Sequence, residues 1–291
     1  MAASPEALAG VAELARGFDG FILDQWGILH DGTTPYAGAI DCLRELRRAG
    51  KHLVILSNSA RTGEFNAALL GRMGFDRALF DRIVAAGDDA REAIAKRSHA
   101  FHRRLGRRYF PFTRDDDVSL FAGLGLERAS RVEDADFLAV IGIETSLSLA
   151  DYEPFLSQGA SRRLPMICAN PDVTRPSPHG LLDAPGAIAR RYEALGGEVF
   201  YHGKPYPAIY AACLEALGGC ARERIVAVGD SLAHDVLGAS RAGLASAFVA
   251  GGIHMQDLGI SWGGMPDAAT WQRFLEDAPA RPDYVLPTFT W

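Results

Sequence analysis

Three things are scarce in this sequence, and each scarcity removes a class of function. Cysteine is the first: Cys42, Cys168, Cys213 and Cys220 are the only four in 291 residues. They are too scattered for a CxxC pair or a Cys/His metal set, so each is expected to pack as a small apolar residue in a reducing cytoplasm. Long apolar runs are the second, since nothing approaches the ~20 consecutive apolar residues of a membrane span. The N-terminal stretch through Phe18 carries acidic residues, with Leu8, Val11 and Leu14 at helical spacing. It reads as an amphipathic helix and not as a signal peptide. Basic excess is the third: a formal charge of -6 argues against a general nucleic-acid binder while leaving room for a local basic pocket. No repeats or low-complexity segments interrupt the chain. The apolar share of 48% and charged share of 23% are those of an ordinary globular protein.

The stretch Phe18–Gly32, FDGFILDQWGILHDG, organises what is present. Its apolar run Phe21-Ile22-Leu23 ends abruptly in Asp24, the pattern of a buried parallel strand that delivers a carboxylate at its C-terminal edge, where ligands bind in open α/β sheets. A helix follows through Ile40, Leu43 and Leu46 and stops near Gly50. Leu53–Leu56 repeats the strand and delivers Ser57-Asn58-Ser59. The next helix runs through Leu69, Leu70 and Met73, and Ile83-Val84-Ala85 suits a third strand. Such alternation is the grammar of a doubly wound, Rossmann-like parallel sheet.

Between residues 87 and 197 the character changes, which predicts an inserted α/β lobe in a core formed by 1–86 and 198–291. His99, His102, Arg103, Arg104, Arg107 and Arg108 form a basic patch, and Asp115-Asp116-Asp117 an acidic one, both read as solvated faces. Phe137–Ile141 and Met166–Ala169 are expected strands, with a helix near Tyr152–Leu156. Asn170-Pro171 and Pro176-Ser177-Pro178 are turn signals. The core pattern then resumes with Val199–Tyr201, Gly203-Lys204-Pro205, and a helix through Ile209, Cys213 and Leu217. Ile225–Val228 leads into Gly229-Asp230-Ser231 and a helix around Asp235. Ala247–Val249 is read as the last strand, and the tail after Ser261 as a wrapping segment.

Asp24, Ser57-Asn58, Lys204 and Asp230 each end or closely follow an apolar run, so this grammar gathers them along one sheet edge. Phosphoryl transfer to a carboxylate needs such a set, because an anion attacking an anion requires charge neutralisation first. Asp24 and Asp230 can hold a hard divalent cation, for which Mg²⁺ is the natural choice. Lys204 adds a positive charge, Ser57 and nearby backbone N–H groups suit the phosphate oxygens, and Asp235 can pair with Lys204. Each alone has an ordinary structural reading as a cap or surface charge.

FILDQWG, ILSNS, GKP and VGDSLAHD together make the chain resemble the haloacid dehalogenase superfamily of hydrolases over most of its length. The middle lobe, with ICANPD and APGAI, resembles that superfamily's class IIA branch, which includes nitrophenylphosphatases, phosphoglycolate phosphatases and pyridoxal phosphatase. The resemblance implies a Mg²⁺-dependent phosphatase of a small phosphate monoester, a sugar phosphate or similar metabolite; the composition adds a cytoplasmic protein without membrane or nucleic-acid partners, and the oligomeric state, a homodimer among the options, stays open. It implies Asp24 as nucleophile through an aspartyl-phosphate, Ser57 as a phosphate ligand with Asn58 beside it as a substrate-binding residue, and Lys204 as charge stabiliser and substrate contact. Asp230 is implied as a metal ligand with Asp235 in support. Asn170 and Asp172 match the motif of a substrate-selecting cap at its seam with the core, where an Asx-turn is the structural alternative.

One position departs from the pattern. The superfamily's phosphatases carry a second Asp two residues after the nucleophile as acid/base; here it is Trp26, whose indole has no useful acidity. Its backbone carbonyl can still serve as the implied metal ligand. Three readings remain at this stage: a phosphatase with His30, Asp31 or a cap residue as proton donor, a C–halogen or C–P hydrolase using the same nucleophile, or a phosphate-ligand binder with little turnover.

Overall fold

The structure, a computed structural model, describes residues 5–177 and 180–291. Pro178 of the expected turn and the first four residues of the expected N-terminal helix lie outside them. The chain divides into two compact units: Met1–Ser57, Glu64–Val84 and Lys204–Trp291 form one, and Asn58–Gly63 with Ala85–Gly203 the other.

The first unit is built on a seven-stranded sheet. In spatial order its strands are Glu6–Ala7, Tyr284–Leu286, Ala245–Val249, Ile225–Gly229, Gly20–Asp24, His52–Ser57 and Arg82–Ala85. Gly20–Asp24 pairs in parallel with both His52–Ser57 and Ile225–Gly229. All five of its residues are buried, as are those of Ile225–Gly229. Burial on both faces is why these strands read as continuous apolar runs and not as alternating ones. The helix Ala39–Arg48 covers the sheet with Ala39, Cys42, Leu43 and Leu46. From Gly20–Asp24 the chain winds first toward His52–Ser57 and later toward Ile225–Gly229 on the other side. The boundary between Gly20–Asp24 and Ile225–Gly229 is therefore the switch point, at whose carboxyl ends open α/β sheets bind their ligands.

Two expectations for this unit need correction. The N-terminal helix begins only at Val11, and Glu6–Ala7 instead pairs with Tyr284–Leu286, leaving Leu8 off the helix. Ala245–Val249 is not the last strand, because Tyr284–Leu286 from the tail adds alongside it. A two- or three-residue strand is too short for a period to show, so only its pairing reveals it.

The second unit holds a five-stranded sheet in the order Val199–Tyr201, Met166–Cys168, Phe137–Val140, Arg108–Phe112 and Glu127–Arg128, all paired in parallel. An antiparallel ribbon pairs Thr174–Ser177 with Gly180–Asp183. Val199–Tyr201, expected to resume the core, thus forms an edge of the second sheet: a short apolar run does not say which sheet it joins. The basic patch is also not simply a solvated face. Arg108–Phe112 is a strand with Tyr109 and Phe112 buried in the unit's core, and His102 is only 1% exposed. No described helix is long and apolar enough to cross a membrane. All four cysteines are free thiols, three of them buried.

Candidate active site

Registry brings three of the expected residues to adjacent strand ends. Leu23 lies opposite Val228 and Asp24 opposite Leu56, so Asp24, Ser57 and Gly229-Asp230 leave the sheet side by side at the switch point. Lys204 arrives from the other end of the chain. Its Nζ donates to Asp24 Oδ1 at 2.6 Å and to Asp235 Oδ1 at 2.8 Å, and all three side chains are buried. Asp24 Oδ1 also accepts the Gln25 N–H at 2.7 Å, whereas Asp24 Oδ2 accepts from no described residue. One carboxylate oxygen is thus fixed by donors while the other keeps its lone pairs.

Asp235 sits in a π-helical turn, Leu232–Val236, of the kind that recurs at functional sites. Its Oδ2 accepts the Ser231 N–H at 3.1 Å. The buried Tyr210 hydroxyl lies 3.3 Å and 3.2 Å from the carbonyls of His234 and Asp235, holding the turn in place. Asp230 is gripped more tightly. Its Oδ2 accepts the Ile253 N–H at 2.8 Å. A Cβ at Gly27, where φ is +86°, would fall 1.8 Å from that oxygen, and one at Gly252 would fall 2.2 Å from it. Glycine is required at both points for the backbone to approach the carboxylate.

The electrostatics are those of an anionic pocket only partly compensated. Burial, followed by the nearby charge of Asp235, pushes the Asp24 carboxyl well above its ordinary range; Lys204 opposes the shift and Asp230 adds to it. Asp24, Asp230 and Asp235 each offer an oxygen within 4.8 Å of the others, against one buried ammonium. Three carboxylates and one lysine leave a deficit of positive charge that a hard, oxygen-preferring divalent cation fits.

Beside Trp26, the residues expected as stand-in proton donors, His30 and Asp31, are already engaged. Trp26 is half-buried, its indole lying against the Gly32 backbone and edge-on to His30. His30 is fully buried, and burial pushes its imidazole down to about 4, Asp31 opposing. The Gly32 N–H donates to His30 Nδ1 at 2.8 Å, so the ring proton sits on Nε2, 3.1 Å from the Gln25 side-chain amide. That amide therefore presents its oxygen to the ring. Asp31 caps its own loop, accepting the N–H groups of Thr33 and Thr34 and the Thr33 hydroxyl, each at 2.8 Å; the backbone bonds of Thr34 and Thr33 hold its carboxyl below the usual range.

Asn58, Asn170 and Asp172 come together in the second unit. Asn58 Nδ2 donates to Asp172 Oδ1 at 2.7 Å, and Asn170 Oδ1 accepts the Asp172 N–H at 3.0 Å in the Asx-turn that was the structural alternative. Sequence reasoning missed Gln25, Tyr210 and the Gly252-Ile253 loop. Only Gly251-Gly252, directly after a strand, carried a visible signal.

Comparisons with known proteins point to a family of hydrolases. Models described as haloacid dehalogenase-like hydrolase match residues 21–127 and 107–243, and one described as HAD-hydrolase-like matches 201–291. A haloacid dehalogenase-like hydrolase of known structure from Brucella suis is 30% identical, with a TM-score of 0.82 over 97% of this chain and 100% of that one. A 4-nitrophenylphosphatase structure from Thermotoga maritima is 26% identical, with a TM-score of 0.69 over 95% and 96% of the two chains. The D-glycerol 3-phosphate phosphatase of Mycobacterium tuberculosis is 26% identical over 94% of this chain and 70% of its own length.

Proposed function

Because the chain belongs to the haloacid dehalogenase-like hydrolases, we propose that it is a cytoplasmic phosphatase of a small phosphorylated metabolite, working through an aspartyl-phosphate on Asp24. The observation that carries this reading is the Lys204 ammonium bridging Asp24 and Asp235, with Asp24 Oδ2 left open beside it. Relatives named as phosphatases of glycerol phosphate and nitrophenyl phosphate support the reaction type.

In this reading Asp24 Oδ2 attacks phosphorus in line with the departing oxygen. Lys204 neutralises charge on the phosphoryl oxygens and holds Asp24 in the attacking orientation. The Ser57 hydroxyl and the backbone N–H groups beyond the strand bind the remaining phosphate oxygens, with Asn58 next to them in the chain. Asp24, Asp230 and the Trp26 carbonyl would hold Mg²⁺, while Asp235 mainly directs Lys204. A cation held there would supply the charge neutralisation that two approaching anions need. The second unit, with Asn170 and Asp172, takes the part of the substrate-selecting cap.

A panel of phosphorylated metabolites assayed for phosphate release, with and without Mg²⁺, tests the proposal. Mg²⁺-dependent release by the wild type that disappears in Asp24→Asn is expected. Release that survives in a folded Asp24→Asn protein would place the chemistry elsewhere.

A further inference from the structure

Breaking a phosphate ester of an ordinary alcohol expels a strongly basic alkoxide, so a site built for such substrates keeps a proton donor within reach of the departing oxygen. Two residues after Asp24 stands Trp26, whose indole cannot protonate a departing oxygen, and among the described residues of the unit that carries Asp24 the histidines and the carboxyl nearest in the chain hold contacts of their own. Both His30 nitrogens are engaged, by the Gly32 N–H and the Gln25 amide, and the ring is fully buried. Asp31 spends its Oδ1 on three donors of its own loop. His234 Nδ1 lies 3.2 Å from Ser231 Oγ. His254 Nδ1 lies 2.9 Å from Asp257, with its ring against Phe248 and Phe274. His52 opens the strand that Ser57 ends, at the opposite edge of the sheet. Lys204 already donates to two carboxylates, and Tyr36, stacked on Trp262, offers only a phenol, a weak acid near neutrality.

Resting on the phosphatase reading, we propose that this site selects its substrate by its leaving group. It turns over phosphoryl groups carried on oxygens that depart as stable anions, a phenolate, an enolate or a carboxylate, and it discriminates against sugar and other alkyl phosphates. In the first step a lone pair of Asp24 Oδ2 forms the new O–P bond. The old P–O bond breaks with its electron pair going to the leaving oxygen, which departs unprotonated. In the second step a water oxygen attacks the same phosphorus, the O–P bond to Asp24 breaks back onto the carboxylate, and the water proton leaves with inorganic phosphate. Trp26 offers no base to activate that water, so the second step is slow and the phospho-Asp24 form accumulates.

The experiment compares nitrophenyl phosphate, unsubstituted phenyl phosphate, acetyl phosphate, phosphoenolpyruvate and glycerol 3-phosphate on the Mg²⁺-loaded wild type. The first step is read from kcat/KM and the second from kcat. The expected result is a kcat/KM lower by on the order of 10²-fold or more for glycerol 3-phosphate than for nitrophenyl phosphate, the size of the missing acid contribution. Good leaving groups should share one kcat, with a burst of nitrophenolate equal to the enzyme present and one added phosphoryl mass on the protein, absent in Asp24→Asn. The relative rates of the aryl, enol and acyl compounds then identify which anion the site prefers. Glycerol 3-phosphate within an order of magnitude of nitrophenyl phosphate, without a burst, would overturn the inference and leave the phosphatase reading standing. No Asp24-dependent turnover of any compound would remove both.

Discussion

The Lys204 Nζ lies 2.6 Å from Asp24 Oδ1, a contact between residues 180 positions apart. It joins the end of the strand Gly20–Asp24 to the turn before the helix Pro207–Ala216. Replacing Lys204 by Met keeps most of the volume and removes the charge. The turnover rate should fall on the order of 10²-fold or more, as for other preorganised donors that stabilise transition-state charge. Steady-state kinetics on nitrophenyl phosphate check this, and a change confined to KM would contradict it.

Asp24→Asn should abolish turnover while preserving the fold, because the amide is nearly isosteric but a poor nucleophile. Superimposable circular dichroism together with loss of phosphate release is the expected pair of results.

Divalent cations should raise the melting temperature of the wild type in proportion to the logarithm of their concentration, since a ligand bound only by the folded state stabilises it. Asp230→Asn should largely remove that rise, and chelation should stop wild-type turnover. An equal Mg²⁺ shift in both proteins would place the cation away from Asp230.

Gly27→Ala should be costly for two separable reasons. The backbone there has φ +86°, and the new methyl would meet Asp230 Oδ2. A roughly 1–3 kcal/mol loss of stability is expected from the backbone strain alone. The displaced carboxylate should in addition weaken the thermal response to Mg²⁺. Gly50→Ala, also at positive φ but with open space around it, should carry the strain without the change in metal response.

The second unit should lose stability in mild acid. His102 is pushed down to about 4, first by burial and then by the neighbouring His202 and His99, with Asp89 opposing. Its Nε2 lies 3.1 Å from His202 Nε2, and His202 Nδ1 lies 2.8 Å from Asp89. As pH falls below the ordinary histidine value of about 6.5, the unfolded chain takes up a proton that the folded chain refuses until about 4. Stability from this residue is therefore fully present above that window and is lost progressively through it. Urea denaturation followed by circular dichroism at pH 7 and pH 5 should show the loss, and His102→Gln should show a smaller one.

Much of this protein is legible in its sequence because a strand buried on both faces must be a continuous apolar run and must end where polar groups can meet water. Phe21–Leu23, Leu53–Leu56 and Ile225–Val228 announced themselves in that way, and with them the residues at their ends, Asp24, Ser57 and Asp230. Gly203-Lys204-Pro205 was visible as a turn bearing a cation. The tertiary structure alone decided which sheet Val199–Tyr201 joins, that Glu6–Ala7 and Tyr284–Leu286 lie side by side, and that the Gly252-Ile253 backbone closes on Asp230. It also decided that His30 is spent on Gln25 and Gly32, and that Asn58 reaches Asp172 across 114 positions. The physical reason is the same in each case. Burial and strand ends are properties of a local run of residues, whereas pairing, close approach and the partner of a polar side chain are set by which distant segments the closed core brings into register.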